Sequence, residues 1–146
     1  NFFAPLELTR IAIPELRKGR HPIIANIGSV LGHCAVPDKS DYCASKFALH
    51  GFTDALREEI SGQGIDVLLV SPSTTDSEFF TNVADESDSG DIPVSPLKMS
   101  PHRVAQKIVA AIRRGRREII LSGSGKLLVW CDRVAPELVS WFLSRR

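Results

Sequence analysis

Apolar positions along this chain alternate between helical and strand-like spacing. In "NFFAPLELTRIAIPELRKG", Phe3, Leu6, Ile11, Ile13 and Leu16 recur at roughly helical intervals. They predict an opening helix that stops near Gly19, a plausible C-terminal cap. "HPIIANIGS" is a short β-rich run ending in Gly-Ser, suited to a buried parallel strand. Beyond the loop "VLGHCAVPDKS", a helix over about 41–61 places Phe47, Ala48, Gly51, Phe52, Ala55, Leu56 and Ile60 on an apolar stripe, and Gly62 and Gly64 end it. "IDVLLV" from Ile65 reads as a second buried strand. Residues 71–100 break the rhythm with Pro72, Pro93, Pro96 and the acidic run "DESDSGD". A connection of that length acts as a lid or binding loop, or is disordered. Ser100 then caps a helix that has Pro101 at its first position and continues to Gly115. "REIILS" predicts a third strand, and the tail, residues 124–146, predicts two short amphipathic helices divided at Pro136.

Helices alternating with apolar strands specify an α/β fold, a doubly wound parallel sheet, as one domain over residues 1–146. Three strands are fewer than such a sheet normally needs. The chain also opens inside a helix, with no initiator methionine, so a portion of a larger fold is expected. Composition adds little: 43 % apolar, 24 % charged and a formal charge of +1 describe an ordinary globular domain, and they argue against nucleic-acid binding through bulk electrostatics. Cys34, Cys43 and Cys131 are an odd count without ligand spacing, which favours reduced thiols and a cytoplasmic setting. No apolar run approaches the ~20 residues that span a bilayer, and no secretory leader is expected.

In doubly wound sheets, ligands sit beyond the carboxyl ends of the strands. Ser29 follows the first strand directly, and Tyr42 and Lys46 open the next helix, whose start faces the same rim. At i and i+4 the phenol and the ammonium share one helix face. A free phenol, with a pKa of about 10, exchanges protons poorly at neutral pH; a nearby ammonium favours the phenolate. A tyrosine tuned in this way can give a proton to a carbonyl or take one from an alcohol. A serine hydroxyl can hold and polarise the same oxygen. The missing ingredient is a hydride, which no side chain supplies and a nicotinamide cofactor does.

Ser29, Tyr42 thirteen residues on, and Lys46 resemble the catalytic core of the short-chain dehydrogenase/reductase family. Asn1, 28 residues before Ser29, looks like that family's catalytic asparagine in the preceding helix. "SPSTTDSEFF" is similar to its Pro-Gly cofactor segment, with Pro72 matching, Ser73 replacing the usual glycine, Thr74 and Thr75 following, and Ser77 where a threonine is common. The resemblance implies a Rossmann-type fold, of which this is the C-terminal half, and an NAD- or NADP-dependent oxidoreductase interconverting a ketone and a secondary alcohol. Tyr42 would be the acid/base, Lys46 would bind the nicotinamide ribose and lower the tyrosine pKa, Ser29 would orient the carbonyl, and Asn1 would hold a water of a proton relay. Family members assemble as homodimers or homotetramers through the helices that correspond to residues 1–19 and 41–61. The family's glycine-rich phosphate loop belongs to the first half, so the 146 residues alone are expected to be inactive. A non-catalytic binding protein that keeps the fold is the competing reading, to which Ser73 lends some support.

Other motifs read as structural. His33 lies four residues after Ser29, but Ile27 and Leu31 occupy the glycine positions of a nucleophile elbow, so it is read as a loop histidine near the substrate mouth, or simply a solvent-exposed one. His21, His50 and His102 show no metal spacing. "SGSGK" lacks the first Walker glycine and is read as a turn, "DESDSGD" lacks the twelfth-position glutamate of a calcium loop, and "RRGRR" suits a helix C-terminus. In the tail, Leu127, Trp130, Val134, Leu138, Trp141 and Phe142 are expected to pack on the domain or a partner subunit; contact with a membrane surface is the less favoured reading.

Overall fold

A computed structural model gives the tertiary arrangement, and it describes residues 1–73 and 99–144. Three parallel strands lie in the order β1 (Ile23–Ile27), β2 (Asp66–Ser71), β3 (Glu118–Ile120). Their registers pair Ile24 with Val67 and Val70 with Ile119. Between and after them run α1 (Phe3–Leu16), α2 (Ser40–Glu59), α3 (Pro101–Arg113), α4 (Gly123–Val134) and α5 (Pro136–Ser144).

Helices cover both faces of the sheet, as a parallel sheet requires. On one face Ile24, Ile65 and Val67 pack with Leu56 and Ile60 at the end of α2 and with Ile13 and Leu16 of α1. On the other, Leu68, Val70 and Leu121 meet Ala111, Val104, Ile108 and Ile112 of α3. β2 is central, and Val67 to Ser71 are all buried. This is the predicted doubly wound, Rossmann-type arrangement. A third cluster lies beyond the strand ends, where Leu31, Cys34, Val36 and Cys43 pack with Leu143, Leu128 and Val139 of the two last helices. All three cysteines are free thiols, and Cys34 is pushed up to about 12 by burial and by Asp132. No described helix is long and apolar enough to cross a membrane.

Several expectations are corrected. α1 ends at Leu16, short of Gly19, and Phe3 and Ile11 are exposed while Ile13 and Leu16 carry its packing. Of the expected stripe on α2, Leu56 and Ile60 are buried and Phe52 packs beside them, but Phe47, Ala48, Gly51 and Ala55 are exposed, and Cys43, Leu49 and Thr53 complete the buried face. Thr53 Oγ1 donates to Leu49 O at 2.6 Å and accepts from Asn26 Nδ2 at 2.9 Å, so a threonine and an asparagine satisfy one another inside the core. Thr53→Val should strand the Asn26 amide and cost about 1–2 kcal/mol, read by chemical denaturation.

"SGSGK" is not a turn. Ser122 Oγ accepts from Gly125 N at 2.9 Å and caps α4, which opens at Gly123. Of the two expected packings for the tail's apolar residues, the one on the domain is not made. Val129 and Leu143 are buried on the domain, whereas Leu127, Trp130, Val134, Leu138, Trp141 and Phe142 are exposed. The connection over residues 71–100 falls, from 74 to 98, outside the described residues.

Candidate active site

Parallel strands bring their carboxyl ends to one rim, and the backbone knits that rim together. Gly28 N donates to Val70 O at 2.8 Å and Val30 N to Pro72 O at 2.9 Å, so the β1–β2 ladder continues past β1 into the turn carrying Ser29. Ser29 caps a short 3₁₀ turn, Val30–Gly32, and its Oγ accepts from Leu31 N at 3.1 Å. That contact uses a lone pair and leaves the hydroxyl proton free to point outward.

The partner is Tyr42. Its hydroxyl is under the influence of the Ser29 side chain, and its ring packs on the Leu31–Cys43–Leu143 cluster. Burial pushes the phenol above its usual range, while the Ser29 side chain pulls it the other way. Lys46 stands one turn further along α2, with Nζ 5.7 Å from the Tyr42 ring centroid. Nζ donates to Ile27 O at 3.0 Å, and burial lowers the lysine pKa. The expected lowering of the tyrosine pKa by Lys46 is therefore not seen in this structure: the ammonium is drawn to the end of β1, and desolvation dominates at the phenol.

The predicted set is thus brought together in part. Ser29, Tyr42 and Lys46 converge at the strand ends. Pro72 and Ser73 lie beside them, half-buried, at the end of β2. Thr74, Thr75 and Ser77 lie outside the described residues. Asn1 is exposed and precedes α1, with Phe2 at the helix N-cap, and no hydrogen bond joins it to the other three.

His33 is the residue the sequence placed wrongly. Far from being solvent-exposed, its side chain is 1 % exposed, with Nε2 2.8 Å from Ser71 Oγ and 3.5 Å from Glu118 Oε1. His50 is its neighbour, at 4.3 Å between ring centroids. No local signal marks this burial, because its partners come from β2, β3 and α2. Among the described residues no group of three or more histidine, cysteine, aspartate or glutamate side chains could hold a metal ion.

Known proteins share this fold. The sequence profile of the short chain dehydrogenase family matches residues 1–88. The Drosophila melanogaster protein "Dehydrogenase/reductase SDR family protein 7-like" is 32 % identical over all of this chain and 46 % of its own length. The Xenopus tropicalis protein "Dehydrogenase/reductase SDR family member 7B" is 33 % identical, over all of this chain and 48 % of its own. The chain thus spans about half the length of the curated relatives it matches. Among solved structures, a short chain dehydrogenase from Burkholderia cenocepacia in complex with NADP superposes with a TM-score of 0.82 at 22 % identity, covering 99 % of this chain and 56 % of that one, a likeness of fold. With more than half its residues inside the family profile and its tyrosine, lysine and serine gathered at the sheet's rim, this chain belongs to the short-chain dehydrogenase family.

Proposed function

We propose that these residues carry the proton-transfer half of an NAD- or NADP-dependent oxidoreductase that interconverts a ketone and a secondary alcohol. The observation that carries this reading is the gathering of Ser29, Tyr42 and Lys46 at the carboxyl end of the sheet, with Lys46 Nζ on the Ile27 carbonyl and 5.7 Å from the Tyr42 ring centroid. A carbonyl oxygen placed between the two hydroxyls would accept from both. Ser29 is already oriented by Leu31 N, so it polarises that oxygen without first having to be ordered. Burial raises the Tyr42 pKa and so favours the neutral phenol, the form needed to protonate an alkoxide as it develops. A nicotinamide dinucleotide, when bound, supplies or accepts the hydride.

The residues fit such a cofactor. An ammonium has three N–H donors, and the Ile27 carbonyl takes one, which leaves Lys46 able to hold ribose hydroxyls beside Tyr42. The Pro72–Ser73 backbone would border the nicotinamide, and Thr74, Thr75 and Ser77 would continue the cofactor segment. Asn1 is proposed for the water-bearing position of a proton relay. Structures of relatives in this fold hold NADP, NADPH or NAD.

The full-length protein should oxidise or reduce the nicotinamide in the presence of a secondary alcohol or ketone, followed by its absorbance. Lys46→Met should weaken dinucleotide binding about tenfold in a fluorescence titration, the loss of one or two hydrogen bonds to a charged group. Unchanged affinity would remove Lys46 from the cofactor site.

The exposed faces of α1 and α2, with Phe3, Leu8 and Ile11 on one and Phe47 on the other, support assembly into homodimers or homotetramers.

A further inference from the structure

Ser29 and His33 stand at opposite ends of one tight turn. Gly32 N donates to Ser29 O and His33 N to Val30 O, both at 3.0 Å, so the five residues from Ser29 to His33 move as a unit. Whatever holds His33 therefore holds Ser29. What holds His33 is distant in sequence: Ser71 Oγ at the end of β2, 38 residues on, and the Glu118 carboxylate at the start of β3.

Ser71 Oγ can donate or accept, and a Glu118 carboxylate oxygen 3.5 Å from the same nitrogen favours the tautomer protonated at Nε2. Nδ1 is then a bare acceptor, buried and without a partner among the described residues. The arrangement is not a hydrolytic triad, because the carboxylate shares the serine's nitrogen rather than orienting the other one, and Ser71 is fully buried. Next to this ring, His50 Nδ1 lies 3.0 Å from Gly32 O and Nε2 3.2 Å from Asp54 Oδ2, two partners that only accept. Asp54 also accepts from Arg57 Nη1, whose Nη2 donates to Arg117 O. The groups facing His33 are thus His50 and Asp54 of α2, Glu118 of β3, Ser71 of β2 and Arg133 of α4.

We propose that His33 is a positioning residue for the reaction: its neutral imidazole, protonated at Nε2, ties the Ser29 turn to Ser71 and so sets the Ser29 hydroxyl against the Pro72–Ser73 backbone. This rests on the dehydrogenase reading above. Burial and the neighbouring His50 take the His33 pKa from 6.5 down to about 4, which keeps the ring in the form the tie requires. Because the folded value is the lower one, the unfolded chain takes up the proton first as the pH falls. The ring's contribution to stability is therefore present above pH 6.5 and is lost from there towards 4.

The test uses the full-length protein and five variants. His33→Leu removes the donor and fills the space, whereas His33→Gln carries an amide N–H that can reach where Nε2 does. His33→Leu should lower kcat about tenfold to a hundredfold, with dinucleotide affinity within about twofold, as misplacement of one orienting group does. His33→Gln should recover most of that loss. Ser71→Ala should reproduce it, and the double variant His33→Leu/Ser71→Ala should be no worse than either single one. Nitrogen NMR of the histidines gives a readout apart from activity: His33 should show protonated Nε2 and bare Nδ1 down to about pH 5. Protonation at Nδ1, titration near 6.5, or a His33→Leu protein that loses stability while keeping its kcat would overturn the proposal. Wild-type turnover in Tyr42→Phe would instead sink the dehydrogenase reading and, with it, the roles of Ser29 and His33 in the reaction.

Discussion

Tyr42→Phe in the full-length protein is expected to lower turnover by about 10²–10⁴-fold, the range general acid–base catalysis supplies, while leaving dinucleotide affinity unchanged. The substitution removes one oxygen from a ring whose carbon face stays packed on Leu31 and Cys43, so stability should move little. A single-turnover assay alongside a dinucleotide titration separates the two effects. Equal turnover in the variant and the parent would end the mechanism.

The pH dependence follows from the same side chain. Burial raises the phenol pKa above its ordinary value of about 10, so the neutral form persists through the physiological range. Ketone reduction, which needs that proton, should be flat through neutral pH and fall on the alkaline side. Alcohol oxidation, which needs the phenolate, should climb over the same interval. Stability follows the same proton. The folded ring keeps it to higher pH than the unfolded one, so stability is intact below about pH 10 and declines above it.

Gly32→Ala should be the most damaging small substitution in the site. A Cβ at this position would lie 2.7 Å from Lys46 O and 3.0 Å from Lys46 C. Those are backbone atoms inside α2, and they cannot swing aside as a side-chain tip would. The glycine is required because the turn carrying Ser29 lies directly on the helix carrying Tyr42 and Lys46. Forcing them apart should cost about 3 kcal/mol, the upper end of overpacking, and should also part Ser29 from Tyr42. Chemical denaturation and turnover per folded molecule measure the two losses. A variant as stable as the parent would mean that α2 does not approach the turn as closely as the structure places it.

Much of the chain was readable in one dimension because its signals are local. Helical spacing and the Ser100–Pro101 start located α3, and the Pro136 break divided α4 from α5. Apolar runs located all three strands. Ser29, Tyr42 and Lys46 could be gathered without coordinates, since strand direction and helix phase both point to one rim. Where periodicity failed, the partner was distant. Thr53, rather than Ala48 or Gly51, lies on the inner face of α2, where Asn26, 27 residues earlier, completes its hydrogen bonding. "SGSGK" opened a helix because Ser122 caps it and Gly125 lies against Val30, a contact no window around residue 125 contains.

By itself, then, the amino-acid order determined which segments are helix or strand, that the strands run parallel, and which three side chains meet at their ends, since each follows from backbone periodicity and chain direction. The tertiary structure alone decided that burial raises the Tyr42 phenol pKa, while the Lys46 ammonium is drawn off to Ile27 O. It alone decided that His33 is buried rather than exposed. A side chain's burial and charge depend on which distant atoms surround it, and those neighbours exist only once the sheet has closed against its helices.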